Sequence, residues 1–328
     1  MKRSGWHIGF GVGLLLAVIA GWMLSFKDSL KVVKTKDLRQ NSVLVAPPIP
    51  AKVTFAGEKV PLQDFEVRER FDRELLNVVY NYAQTIFILK RANRWKDDVL
   101  KTLREENIPE DFFYLMAAES HFGNGTSVKG ARGFWQFMPA TAKHYQLEVS
   151  DFVDERCHVT LATKAACRYL KDAYQRFGNW TLVAASYNMG VGGVKSVLDQ
   201  QQQGNYYDLL LNQETSRYLF RILALKLILS DSENYGYKIY EGDLYPKLPT
   251  KSILITETIP DLSKFAKYYG TSLKTIKYLN PWILKDVLPI GVGKSYALLL
   301  PGEGYPKSAL DEDAYPPIPT PDSDSEAE

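Results

Sequence analysis

Apolar residues recur at spacings of three and four across most of residues 70–230. From Phe71, the set Leu75, Leu76, Val79, Tyr80, Tyr82 and Ala83 marks an amphipathic helix. A second helical stretch covers 93–106 and stops before Ile108-Pro109. Residues 110–120 (EDFFYLMAAES) open with acids, which suit a helix N-terminus, and then turn apolar nearly all round. They predict a buried helix ending near Glu119. Gly123, Gly125, Gly130 and Gly133 mark a loop, and Pro139 suits the first turn of the next helix. Ala162, Ala165, Ala166, Tyr169, Leu170, Ala173 and Phe177 line another helix, closed by Gly178. Asn179 caps a helix over 180–188, and Gly190-Val191-Gly192-Gly193 reads as a turn after it. Residues 215–230 form a last buried helix. With no period-2 strand over 70–230, the expected fold is mainly α. Beyond 235, β-branched runs at 252–256 and 295–300 flank two short helical patterns, 261–269 and 272–279, a small α+β module.

The two ends carry different signals. Lys2 and Arg3 precede an apolar run from Ile8 to Phe26, about 28 Å as a helix and long enough for a bilayer core. The leading charges orient the rest of the chain outward. The run continues past Ala20 through Trp22, Met23 and Leu24, so residues 1–27 read as an anchor rather than a cleaved signal segment. Residues 28–75, with Ala46-Pro47-Pro48-Ile49-Pro50, read as an extended connector. The helical domain is then 76–235 and the small module 250–301. Residues 302–328 turn Pro-rich and acidic, a solvated tail.

Composition narrows the chemistry. The 328 residues are 45% apolar and 24% charged, enough to bury a core, and the net charge of +2 gives no electrostatic reason for a nucleic-acid partner. Two cysteines cannot build a disulfide scaffold or a zinc ribbon; Cys157 and Cys167 read as small buried apolar side chains. His121, His144 and His158 lack ligand spacing, so no metal is expected. Gly291-Val292-Gly293-Lys294-Ser295 imitates a phosphate loop, but Leu288 stands where the leading glycine is needed, and no cofactor is indicated.

One carboxylate stands apart. Glu119 follows the uncharged stretch Phe112–Ala118, and the next acid is Glu148. A carboxyl at the rim of an apolar helix loses hydration, which raises its pKa toward that of a general acid. Around it, Glu119-Ser120-His121-Phe122, Ser127 and Gly130-Ala131-Arg132-Gly133-Phe134-Trp135-Gln136-Phe137-Met138-Pro139 resemble the signature of the soluble-lytic-transglycosylase family. Tyr187-Asn188-Met189-Gly190 and Glu214-Thr215-Ser216-Arg217-Tyr218 resemble its third and fourth motifs.

That resemblance implies a lysozyme-like α domain acting on peptidoglycan glycan strands in the bacterial envelope. It implies that Glu119 protonates the oxygen joining N-acetylmuramic acid to N-acetylglucosamine. The same group then takes the C6 hydroxyl proton as a 1,6-anhydro ring closes. By the same resemblance Ser127, Gln136, Met138, Tyr187, Asn188 and Glu214 hold the substrate, with Gln136 beside Glu119 and Tyr187 close to the acid. A lysozyme-type hydrolase, needing a second carboxylate about 5–9.5 Å away, stays open through Asp154 or Glu214. So does a non-catalytic wall-binding scaffold. Phe134, Trp135 and Phe137 are expected in the core, because three adjacent residues cannot all face one groove. Asp154-Glu155-Arg156 is expected to pin the fold through ion pairs. Residues 253–301 resemble a LysM domain, a fold that binds N-acetylglucosamine chains, although Thr256-Glu257-Thr258-Ile259-Pro260 replaces its usual opening turn; weak glycan binding and a packing role alone both stay open.

Overall fold

The computed structural model describes residues 45–306. The anchor read at 1–27, the first part of the connector and the acidic tail beyond 306 lie outside the described residues. No helix among the described residues is long and apolar enough to cross a membrane.

The first element is a tight hairpin of β1 (Thr54–Phe55) and β2 (Glu58–Lys59). It corrects the reading of 28–75 as an extended connector, because Val53, Phe55, Val60, Leu62 and Val67 are buried in the main core. Phe55 is fully covered, its ring edge-on to Phe112 at 5.3 Å. The hairpin is fastened by polar groups far away in sequence. Glu58 accepts from the backbone N–H groups of Trp180 and Thr181, and Asp111 accepts from that of Ala56. Asp64 then caps α1 (Phe65–Tyr80) by accepting from Glu66 and Val67 N–H, so the helix starts six residues before the apolar period becomes visible at Phe71.

At Asn81 the chain breaks and α2 (Tyr82–Glu105) begins, a single 24-residue helix where the sequence suggests two shorter stretches. Its buried face carries Ile88, Leu89, Ala92, Val99 and Leu103. The short α3 (Phe112–Ser120) is covered on nearly every side, and α4 (Pro139–His144) starts at its proline as expected. Further on come α5 (Val159–Phe177), α6 (Trp180–Met189) and α7 (Val191–Gln201). Helix α7 replaces the expected turn: Gly190 ends α6, and Gly192 and Gly193 lie in the next first turn. A Cβ at Gly193 would press on the Met189 side chain at 3.2 Å. Helix α8 (Gln213–Ser230) packs broadly on α1 and also on α3 and α6, which places it at the centre of the domain.

The C-terminal module pairs β3 (Thr250–Ile255) antiparallel with β4 (Tyr296–Pro301), in a register from Thr250↔Pro301 to Ile255↔Tyr296. Between them lie α9 (Leu262–Tyr268) and α10 (Leu273–Leu279). Leu262, Ala266, Ile276, Leu298 and Leu300 form its core. The buried Asn280 side chain is satisfied, donating to the Ile276 and Leu299 carbonyls and accepting from Leu299 N–H. A helical domain followed by a small α+β module is therefore the observed order. Cys157 and Cys167 are both free and buried.

Candidate active site

Helix α3 delivers Glu119. Six of its residues, from Phe112 to Ala118, are buried, so the helix axis is fixed by packing on all sides. Immediately after Ser120, His121 adopts a left-handed conformation (φ 50°) and returns its N–H to the Ala117 carbonyl, which ends the helix and turns the chain into the loop 121–138. The Glu119 side chain is therefore the last of the apolar rod. It keeps a partly open face, yet its carboxyl lies deep among protein atoms. That loss of hydration pushes its pKa up to about 7, against the opposing pull of the Tyr218 hydroxyl, which donates to it, and of the Arg221 charge. Glu214 adds a small push upward.

Tyr218 and Arg221 were not assigned from the sequence, although a signal was present. Glu214, Tyr218 and Arg221 fall at i, i+4 and i+7, one face of α8. Behind them lies a second missed group, Glu74, an acid on the core face of α1 between Phe71 and Leu75. Its carboxylate, almost wholly buried, receives the Arg217 guanidinium and faces Arg221 at 3.6 Å. An acid inside an apolar period is itself the sign of a buried partner.

The third and fourth motifs meet. Asn188, at the end of α6, donates to Glu214 at 3.2 Å and accepts from the Thr215 hydroxyl at 2.8 Å. Tyr187 is half-buried with its ring 5.0 Å from Tyr169 and its hydroxyl donating to the Trp135 carbonyl at 2.8 Å. Burial and the nearby Glu119 charge both raise its pKa. Gln136 is engaged by its own loop. Its amide donates to the Gly125 and Gly133 carbonyls at 3.0 and 2.8 Å, and no hydrogen bond joins it to Glu119. It holds the loop from a positive φ of 47°. Ser127 is exposed, its hydroxyl accepting from Ala131 N–H at 3.0 Å. Met138 is also exposed, at the N-cap of α4.

Phe134, Trp135 and Phe137 are buried, Trp135 completely, so none presents a ring face to a ligand. The expected ion pairs of Asp154 are present. Arg156 grips its carboxylate twice, at 2.7 and 2.8 Å, and Arg132 lies at 3.5 Å. The other arm of Arg156 donates to the Gly130 and Phe137 carbonyls at 2.9 and 3.0 Å. Gly133, at φ +83°, leaves only 1.8 Å between a built Cβ and the Arg156 carbonyl, so no other residue fits there.

A deep carboxyl raised to about 7, with a hydroxyl donating to it, is a group able to give and take a proton near neutrality. Residues 100–210 match the transglycosylase SLT domain and residues 251–304 the soluble lytic transglycosylase C-terminal LysM-like domain. The chain thus carries an SLT domain followed by a LysM-like domain. It is 28% identical over 243 residues to the membrane-bound lytic murein transglycosylase D of Escherichia coli K12, covering 71% of this chain and 52% of that one. It is 31% identical over 106 residues to a putative tributyltin chloride resistance protein of an Alteromonas strain, covering 32% of this chain and 51% of that one. The chain spans about half the length of these relatives. Among solved structures, an inactive mutant of lytic transglycosylase Slt from Pseudomonas aeruginosa superposes with a TM-score of 0.36 and 19% identity, over 46% of this chain and 26% of that one.

Proposed function

We propose that the protein is an exported, envelope-located lytic transglycosylase acting on peptidoglycan glycan strands. It cleaves the β-1,4 bond between N-acetylmuramic acid and N-acetylglucosamine without water. The observation that carries this reading is the deep carboxyl of Glu119, raised to about 7 and held by Tyr218. Such a group is protonated often enough near neutrality to give its proton to the leaving oxygen, and basic enough afterwards to take one back. Glu119 first protonates the glycosidic oxygen and then removes the proton of the muramoyl C6 hydroxyl. That oxygen bonds to C1 and leaves a 1,6-anhydro end. Tyr218 orients the acid. Tyr187, Asn188 and Glu214 position the muramoyl sugar, with Ser127 and Met138 on the opposing loop and Gln136 holding that loop in place.

Digesting purified peptidoglycan with the full-length chain and weighing the products tests the chemistry. Anhydromuramoyl ends, one water lighter than hydrolytic ones, are expected. Reducing ends would assign a hydrolase with Glu214, whose charge reaches Glu119, as second carboxylate. Binding to the wall without any product would leave a scaffold.

Tyr218→Phe tests the orienting hydroxyl. Its hydrogen bond favours the ionised carboxyl, so its loss raises the Glu119 pKa. The alkaline limb of the pH–rate profile is expected to move to higher pH, with a plateau rate lowered about tenfold. An unmoved limb would separate Tyr218 from the acid.

A further inference from the structure

We infer that the LysM-like module is a brace for the cleft: Trp282 and its neighbours fix the 148–157 segment, and through Arg156 that segment sets the loop bearing Ser127 and Gln136. The inference rests on the cleft proposed above.

The junction is made by backbone and core, not by a tether. Asp154 N–H donates to the Trp282 carbonyl at 2.8 Å, and Leu284 N–H donates to the Phe152 carbonyl at 2.8 Å, with Val153 and Ile283 paired between them. Val153 and Cys157, which belong by sequence to the helical domain, are buried in the module's own apolar cluster with Trp282 and Ile283. The His158 ring faces Trp282 at 6.2 Å. At the rim, Glu148 accepts from Lys294 at 2.5 Å and from the Tyr296 hydroxyl at 2.8 Å. A module that only captures glycan raises local concentration, and a flexible linker suffices for that. Here the module completes a core that the helical domain leaves open.

The connection to the cleft is two residues long. Asp154, whose N–H is held by the module, carries the carboxylate that grips Arg156. Arg156 in turn holds Gly130 and Phe137, on either side of Gln136. The contact at Gly133 leaves no slack, since its backbone already abuts the Arg156 carbonyl. A shift of 154–156 therefore has to move the loop, because close-packed groups transmit displacement rather than absorb it.

Two native thiols make the test possible. Cys157 lies in the module's cluster and Cys167 in the helical core. In the full-length Trp282→Ala variant, labelling of Cys157 by a thiol reagent is expected to rise at least tenfold while Cys167 stays protected. Amide exchange over 125–137 should rise at least tenfold, and kcat/KM on soluble glycan strands should fall about tenfold with the pH limb set by Glu119 unmoved. Trp282→Phe, which keeps a ring against His158, should recover most of each change. Labelling of Cys157 with unchanged exchange over 125–137 would overturn the brace. If Cys167 also reacts, the variant has unfolded, and the same pair of readings on Tyr296→Phe decides. A wild type that forms no product would sink the transglycosylase reading alone, because labelling and exchange do not depend on turnover.

Discussion

Glu119→Gln is expected to lower product release by about 10³-fold while making the folded protein more stable above pH 7. Glutamine keeps the size of the side chain and can still accept from Tyr218, so the loss of rate reports the proton and not the packing. The gain in stability follows from the same burial. In the unfolded chain the carboxyl ionises near its ordinary value, whereas in the fold it ionises near 7. The group's contribution is therefore fully present below the unfolded value and is lost as pH rises through 7. At pH 8 the wild type carries a cost of roughly 3 kcal/mol that glutamine does not. Chemical denaturation at pH 4 and pH 8 measures it: the variant should exceed the wild type at pH 8 and match it at pH 4. A constant difference at both would mean that the carboxyl is not desolvated, and the proposed acid would lose its physical basis.

Asp154→Ala should be the most damaging substitution outside the acid–base centre, at about 3–5 kcal/mol. Asp154 and Arg156 are both buried, with side-chain exposures of 2% and 7%, so removing the carboxylate strands a guanidinium where water cannot reach it. Denaturant titration gives the cost. Asp154→Asn separates the contributions, since it retains an acceptor for the Arg156 N–H but not the charge. If the alanine variant lost less than about 1 kcal/mol, the pair would be behaving as an exposed one and would not be holding the loop.

Helices were legible wherever one face carried the apolar period. Helix α5 and its closing Gly178, the Asn179 cap of α6, and the proline start of α4 all lie where residue chemistry places them. The hairpin before α1 was not legible. Its strands are two residues each, and what secures them is Glu58 reaching the start of α6 and Asp111 reaching back to Ala56, a fact that no local window contains. The Gly192-Gly193 pair misled for the opposite reason: propensity opposes a helix there, but the close approach of Met189 to Gly193 favours a small residue at that position. At the site, Glu119 stands out as an acid ending an apolar run, but only the motif resemblance around it singles it out as the candidate acid. Gln136 could not be placed, because a motif records that a residue is needed and not whether it faces substrate or its own loop. The Tyr218 contact required the crossing of α3 and α8, which is tertiary information.

The shared apolar cluster also dictates an order of events during synthesis. Val153 and Cys157 leave the ribosome long before Trp282, Leu298 and Leu300, which cover them. Until those last residues emerge, the nascent helical domain carries a sticky patch beside the segment that steadies Arg156. Partly made chains are thus the species most prone to self-association. By the same logic, the cleft loop acquires its final rigidity only when β4 closes on β3, so competence arrives late and all at once instead of growing with chain length.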